Sequence, residues 1–325
     1  MQIARTTAVW IVLMALPLFV DDWSLSQFTQ FIPYGIFAMS LALIWGQVGI
    51  LSFGQAIFFG VGGYVMAVVT KGMLSWAPSS AALGLAGAMT VSALVANLLG
   101  RMLFRGKGLA GAYFAIVTLS GAVITERAAT RWDFIGGFNG LLGVPRLSVG
   151  SNDLEPVQVY YVMLVLAAIV FLGLNHLVRS PLGTVLRAIR DNDERTSYFG
   201  YDVARYKVMS FTLSAAIAGL AGGLFVTEFG FVSPALLGFG LSTEVLIWVA
   251  LGGREVLLAG FLGAIFVRSI EGRLSEALGH YWLLALGVLF VVSVVLLPRG
   301  LLGWLLQLPL PARMRRVGER EIPCC

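Results

Sequence analysis

The sequence is poor in charge, in cysteine and in histidine. Only 12% of its 325 residues are charged, and its two cysteines are the last two positions, Cys324 and Cys325. A cysteine pair at one end gives no disulfide framework, so we expect a free or modified tail. His176 and His280 have no cysteine or carboxylate near them at metal-ligand spacing, which argues against a metal site.

Two enzyme signatures are also missing. No G-x-x-x-x-G-K-[ST] phosphate loop occurs in the chain, so any ATP hydrolysis linked to its function must take place on another chain. No nucleophile or paired carboxylates stand within the apolar segments in a catalytic arrangement, which argues against an intramembrane enzyme. We therefore expect no catalytic residue, no cofactor and no metal.

Apolar residues make up the bulk of the chain. A hydrophobic content of 58% and a mean hydropathy of +0.88 are typical of a polytopic helical membrane protein and exclude a soluble enzyme. Segments of about 20 residues predict an all-α fold with about eight to ten transmembrane helices in a single domain over residues 1–325. They lie near residues 5–20, 29–46, 50–70, 80–104, 109–128, 157–178, 207–228 and 280–298, and 242–270 adds two short spans or a re-entrant pair.

Lysine and arginine gather in three segments between these spans. The first segment begins at Arg101, the second covers residues 179–207 and the third begins at Arg299. The positive-inside rule places these three segments in the cytoplasm. Both termini are then predicted to be cytoplasmic, with residues 301–325 as a tail. Because the basic residues lie in loops, the net charge of +5 does not indicate a nucleic-acid partner.

The remaining loops are acidic or balanced. Residues 21–28 and 130–156 are therefore expected to face outward, and residues 130–156 form the longest such loop. The first span follows Arg5 and has no small-residue cleavage site, so we expect an uncleaved anchor.

Residues 179–207 form the one sizeable polar island, and they read as a capped amphipathic helix. Ser180 is a good N-cap, Pro181 suits the first helical position and Gly200 offers a stop, so one cytoplasmic helix is predicted over residues 180–200. An apolar stripe and two pairs at i, i+4 spacing support this helix: Leu182, Val185, Leu186 and Ile189 form the stripe, and Arg187 with Asp191 and Arg190 with Glu194 form the pairs. Too short to span a bilayer, the helix suits docking to a soluble partner.

Glycines interrupt two apolar runs, WGQVGILSFGQAIFFGVGGY at 45–64 and WVALGGREVLLAGFLG at 248–263. In hydrocarbon a broken helix is tolerated only inside protein or beside a wet cavity, and matching breaks in two halves are typical of a transport pathway. The alternative is that these glycines only permit close helix packing. The predicted pathway residues are Gln47, Ser52, Gly54, Gln55, Gly252 and Gly253. Glu244 lies at the start of the broken region 242–270. Its carboxylate would indicate a functional site if it lies deep in the membrane.

Further motifs follow in order: GAYFAIVTLSGAV at 111–123, GGFNGLLGVP at 136–145, SPLGTVLRAIRDND at 180–193, GYDVARYK at 200–207 and SAAIAGLAGGLF at 214–225. With the run at 45–64 they resemble the LivM-like permease subunits of branched-chain amino-acid ATP-binding-cassette importers over nearly the whole chain. Residues 243–264 and Phe199-Gly200-Tyr201 look more like the urea-type branch. Gly253-Arg254-Glu255 departs from the glycine-rich turn of relatives.

The resemblance implies a permease fold in a bacterial inner membrane, with a second related permease, two cytoplasmic ATPases and a periplasmic binding protein as partners. The solute would be a branched-chain amino acid, or urea or a short amide. The helix over 180–200 would couple to the ATPase through Arg187, Arg190, Asp191, Asn192 and Gly200. Asn139, within GGFNG, would lie in an outer turn that meets the binding protein. An ion-driven secondary carrier, which would also have broken helices but no ATPase, is the alternative.

Overall fold

A computed structural model describes residues 2–74, 78–104, 111–149, 152–153 and 155–281, together with residues 284, 287, 288, 291, 300 and 303. The predicted span at 280–298 and the predicted tail at 301–325 lie almost entirely outside these residues. Both cysteines also lie outside them.

Eleven α-helices occupy most of the described chain. They are α1 (Gln2–Ala15), α2 (Asp22–Ala42), α3 (Gln55–Thr70), α4 (Ala81–Phe104), α5 (Gly111–Thr130), α6 (Pro156–Arg179), α7 (Pro181–Asp191), α8 (Asp193–Tyr198), α9 (Val203–Phe229), α10 (Phe239–Gly252) and α11 (Leu257–Leu278). A π-helical turn, Leu43–Val48, continues α2. Short 3-10 turns lie at Leu16–Leu18, Asp133–Ile135, Gly137–Asn139, Pro234–Leu237 and Gly279–Tyr281.

Four of the described helices are long and apolar enough to cross a membrane: α2 with its π-helical turn, α4, α6 and α9. The α10 and α11 pair, bent by 117° at its break, raises the number to five if it forms one span. Helices α1 and α3 are shorter and apolar. The predicted all-α membrane class and its broken segments are confirmed. The number of eight to ten transmembrane helices stays a prediction, because four or five spans of the described residues meet the length and hydropathy needed and the predicted span at 280–298 lies mostly outside them.

Two pairs of short strands lie beside the helix ends. Strand β1 (Leu141–Leu142) pairs antiparallel with β4 (Phe231–Val232), and β2 (Ser148–Val149) pairs antiparallel with β3 (Asn152–Asp153). The Lys71 ammonium, just after α3, donates to the Leu142 carbonyl at 2.7 Å. The segment after α5 is therefore fastened to the ends of α3 and α9, so these three helices end at the same face.

The core lies where α2, α3 and α9 cross. Tyr34, Phe59 and Phe225 pack ring against ring there, and all three are buried. A Cβ on Gly62 of α3 would overlap the backbone of Gly219 in α9. Because glycine has no side chain, the two helices approach to backbone contact, as small residues allow in membrane proteins.

Candidate functional site

The polar island folds as two helices joined at Asn192. Helix α7 begins at Pro181, as predicted, and the left-handed Gly200 (φ +87°) ends the segment. The prediction of one continuous helix over 180–200 is wrong because Asn192 is extended (φ −163°, ψ 109°) and its side-chain oxygen accepts the Arg195 N–H at 2.8 Å. An asparagine that caps the next helix ends the preceding one. Residues 180–200 are called the capped segment below.

The capped segment has a buried face and an exposed tip. Leu186 and Ile189 of the predicted stripe are buried. Tyr198 and Phe199 are 84% and 83% exposed, although aromatic side chains usually bury most of their area. Ser180 occupies the N-cap position, but its hydroxyl donates to the Leu177 carbonyl at 2.6 Å instead of capping α7.

Arg187 and Arg190 of α7 form hydrogen bonds with backbone carbonyls of this protein. The Arg190 Nη1 donates to the Gly46 carbonyl at 2.7 Å and lies 3.8 Å from a carboxylate oxygen of Glu255. The Arg187 Nη1 donates to the Val178 carbonyl at 3.1 Å. The Arg190 Nε also lies 3.4 Å from a carboxylate oxygen of the adjacent Asp191. The ion pairs expected at i, i+4 spacing are not among those of the described residues, because both guanidinium groups have these other partners.

Both glycine-punctuated runs are interrupted, as the sequence predicted. In the first, the chain leaves the helix at Gly49 (φ +79°) and becomes helical again at Gln55. In the second, Gly253 (φ +129°) separates α10 from α11. Positive φ at these two positions suits glycine, which has no side chain to strain.

The two helix breaks contact each other beside α7. A Cβ on Gly46 would overlap the Arg254 carbonyl oxygen, and the Gln47 side-chain amide donates to the Glu255 carbonyl at 3.1 Å. We call Gly46, Gln47, Arg190, Arg254 and Glu255 the junction. It joins the end of α2, the turn between α10 and α11, and the capped segment at one point.

The residues predicted to line a pathway are packed in this conformation. Gln47, Ser52 and Gln55 are 4%, 0% and 0% exposed. The Gln55 amide donates to the hydroxyls of Ser40 (3.1 Å) and Ser214 (2.8 Å), while its side-chain oxygen has no hydrogen-bond partner among the described residues. Their role in a pathway stays a prediction.

Gly54 and Gly252 lie against the backbone of other segments, whereas Asn139 lies at the surface. A Cβ on Gly54 would lie 2.6 Å from the Thr118 carbonyl oxygen, and one on Gly252 would overlap the Ala259 carbonyl oxygen. Gly253 is the left-handed break described above. Asn139 is exposed and ends the Gly137–Asn139 turn at the face that carries β1.

The chain matches the family described as "Branched-chain amino acid transport system / permease component" over residues 24–295. It belongs to this permease family. The LivM permease proteins of Salmonella typhimurium and Escherichia coli are 31% and 30% identical to it, each over 91% of this chain and 73% of the relative. The LivH permease protein of Escherichia coli is 22% identical over 83% of this chain and 91% of the relative. No solved structure matches the chain significantly.

The permease also holds a charge cluster that sequence reasoning missed. The Arg268 Nη1 lies 3.6 Å from a carboxylate oxygen of Glu244 and 2.5 Å from one of Glu271. Its guanidinium carbon stands 4.1 Å from the centre of the Tyr34 ring. Residues 243–272 carry five charged residues in an otherwise apolar stretch, and Glu244, Arg268 and Glu271 among them were the available signal. Partnered in this way, the charges bind α10, α11 and α2 together.

A second ion pair ties the capped segment of the permease to α9. The Lys207 ammonium contacts a carboxylate oxygen of Asp193. The Lys207 side chain is largely buried, whereas that of Asp193 is half-exposed. The capped segment is thus connected to α9 through Lys207 and to α2 and the α10–α11 turn through Arg190.

Proposed function

We propose that this permease is the membrane-spanning subunit of an ATP-binding-cassette importer for branched-chain amino acids. The observation that carries the proposal is the family match over residues 24–295, supported by relatives named as high-affinity branched-chain amino acid transport permeases. Urea and short amides, suggested by residues 243–264 and the Phe199-Gly200-Tyr201 tripeptide, are the competing solutes.

The proposed assembly contains a second related permease, two cytoplasmic ATPases and a periplasmic binding protein. Similarity to both LivM and LivH proteins supports a pair of related permeases. The missing phosphate loop assigns ATP hydrolysis to other subunits. In this arrangement the protein lies in a bacterial inner membrane with both termini in the cytoplasm, and Asn139 on the loop 130–156 faces the binding protein.

We assign the ATPase contact to the exposed side of the capped segment. Asp191, Asn192, Tyr198 and Phe199 are all exposed there, and exposed aromatic residues beside polar ones are typical of protein interfaces. Gly200 lets the chain turn from this contact into α9. Arg187 and Arg190 then act on the inner side of the segment, where they hold it against the ends of α6 and α2.

Motion of the capped segment would reach three elements at once. Arg190 bonds the end of α2 and approaches the α10–α11 turn, and Asp193 pairs with Lys207 of α9. Since packed elements switch between discrete arrangements, a push on the segment separates or closes the junction. The predicted pathway residues, packed in this conformation, would become accessible when the junction separates.

Solute uptake by the reconstituted complex tests the proposal. Proteoliposomes would contain this permease, its permease partner and the ATPases, with ATP inside and the cognate binding protein outside. We expect labelled leucine to accumulate and labelled urea not to, and a non-hydrolysable ATP analogue to abolish uptake. Accumulation of urea without leucine would overturn the solute assignment, and uptake with the analogue would overturn the ATP-driven mechanism.

A further inference from the structure

A cationic cavity opens between the start of α1, the end of α6, α7 and the α10–α11 turn. Its volume is about 350 Å³, within the range of small-ligand sites. Arg5, Arg179, Arg187 and Arg190 line it together with one carboxylate, that of Glu255. The described lining thus holds more arginine side chains than carboxylates.

Carboxylates pair with one arginine of this cavity and leave two others without an ion pair among the described residues. Arg190 lies 3.4 Å from a carboxylate oxygen of Asp191 and 3.8 Å from one of Glu255. Arg179 and Arg187 form no ion pair with any carboxylate in the part of the chain that the structure describes. The Arg187 guanidinium instead donates to two neutral oxygens, the Val178 carbonyl (3.1 Å) and the Thr184 hydroxyl (3.4 Å). Cations that line one cavity without a countercharge favour a bound anion.

The cavity lies at the end of two apolar helices. The rings of Trp10 and Phe171 are 5.7 Å apart, and the Tyr160 hydroxyl donates to the Leu13 carbonyl at 2.6 Å, so α1 and α6 run antiparallel. Arg5 and Arg179 then extend beyond the Trp10–Phe171 contact toward the same end, by about 8 and 12 Å at the helical rise. Arginines at such positions carry their charge at the membrane surface.

An apolar surface continues from the cavity along both helices. Phe171, Leu257 and Leu258 form part of the cavity wall. Farther along, Val12 of α1 and Leu172 of α6 are 65% and 62% exposed. A free phosphate or a nucleotide would leave this surface unused, whereas the acyl chains of a lipid would cover it.

We propose that this cavity binds the phosphodiester headgroup of an anionic phospholipid, with the acyl chains lying along α1 and α6. Basic pockets between membrane helices bind such headgroups. This inference does not rest on the proposed transport function, although Arg187 and Arg190 of the cavity also hold the capped segment. Because Arg190 and Gln47 of the junction also line the cavity, a bound lipid would contact the junction.

Lipid binding to the intact complex tests this proposal. Native mass spectrometry would measure phosphatidylglycerol and phosphatidylcholine bound to the complex, with inorganic phosphate as competitor. We expect preferential binding of phosphatidylglycerol that millimolar phosphate does not displace. At about fivefold per arginine, Arg179→Gln with Arg187→Gln should weaken phosphatidylglycerol binding about thirtyfold.

Three further variants make the result decisive. Arg195→Gln, a matched change at an exposed arginine outside the cavity, should leave lipid binding unchanged. Arg179→Lys with Arg187→Lys should retain most of it because the charge is kept. If the double glutamine variant fails to assemble, Arg179→Gln alone, at an exposed side chain, should still give about a fivefold loss. Equal binding of both lipids, displacement by phosphate, or an equal loss in Arg195→Gln would overturn the proposal.

Discussion

Replacing Arg190 with alanine should uncouple ATP hydrolysis from uptake while the complex still assembles. Arg190 makes the hydrogen bond of 2.7 Å that links the capped segment to the Gly46 carbonyl. Alanine removes that bond and the weaker contacts with Glu255 and Asp191, but leaves the exposed Tyr198 and Phe199 unchanged. The ATPase would still bind, and its motion would no longer reach the end of α2.

The size of the effect follows from the contacts with Gly46 and Glu255, because the third contact, with Asp191 at 3.4 Å, lies within the capped segment and does not link it to α2. A hydrogen bond from a charged donor contributes about 1.5 to 3 kcal/mol. The 3.8 Å pair with Glu255, between side chains that are 30% and 46% exposed, contributes at most about 1 kcal/mol. Losing the carbonyl bond shifts the equilibrium between attached and detached segment about tenfold to a hundredfold. Glu255→Gln should therefore have a small effect, and Arg190→Lys an intermediate one.

The assay is the ratio of solute-stimulated to basal ATP hydrolysis in proteoliposomes, measured beside leucine uptake. For Arg190→Ala we expect the ratio to approach one and uptake to fall at least about tenfold. Arg101→Ala, whose side chain is exposed in the last turn of α4 and outside the capped segment, is the matched control and should behave like the wild type. A stimulation ratio within about twofold of wild type for Arg190→Ala, or an equal loss in the control, would refute this reasoning.

Three other substitutions probe the same connections. Gly46→Ala introduces a Cβ that overlaps the Arg254 carbonyl. It should lower the free energy of unfolding by about 1 to 3 kcal/mol, seen as a lower Tm. Its control, Gly173→Ala, has open space at its Cβ and should leave the Tm unchanged or slightly raised. Phe199→Ser should weaken co-purification of the ATPase without lowering the Tm, and a lowered Tm would argue against an exposed contact. Lys207→Met should reduce stimulated hydrolysis more than basal hydrolysis, and equal reduction of both would count against a role of this pair in coupling.

Sequence reasoning located the interruptions well, because each depends on local chemistry. Glycines at 49 and 253 adopt positive φ, which other residues rarely tolerate. Pro181 begins α7 and Gly200 ends the capped segment, as their backbone preferences predict. The break at Asn192 was missed because the spacing of Arg190 and Glu194 continued past it, and its capping role was overlooked.

The junction could not be predicted, because it depends on contacts between distant parts of the chain. Arg190 and Gly46 are separated by 144 positions, and Gln47 and Glu255 by 208. Helical periodicity assigns Arg190 to a polar face but does not tell which carbonyl its guanidinium reaches. For the same reason Gln47, Ser52 and Gln55 were expected beside a pathway, and their present burial depends on how α2, α3 and α9 pack.

ATP dependence of solute accumulation tests the proposed mechanism most directly. Labelled leucine would be followed in vesicles that contain this permease alone, the permease pair, or the pair with its ATPases, each under an imposed ion gradient and with or without ATP. We expect accumulation only in the complete complex supplied with ATP. Accumulation by this permease alone, driven by the ion gradient, would contradict an ATPase-driven permease and would establish a secondary carrier instead.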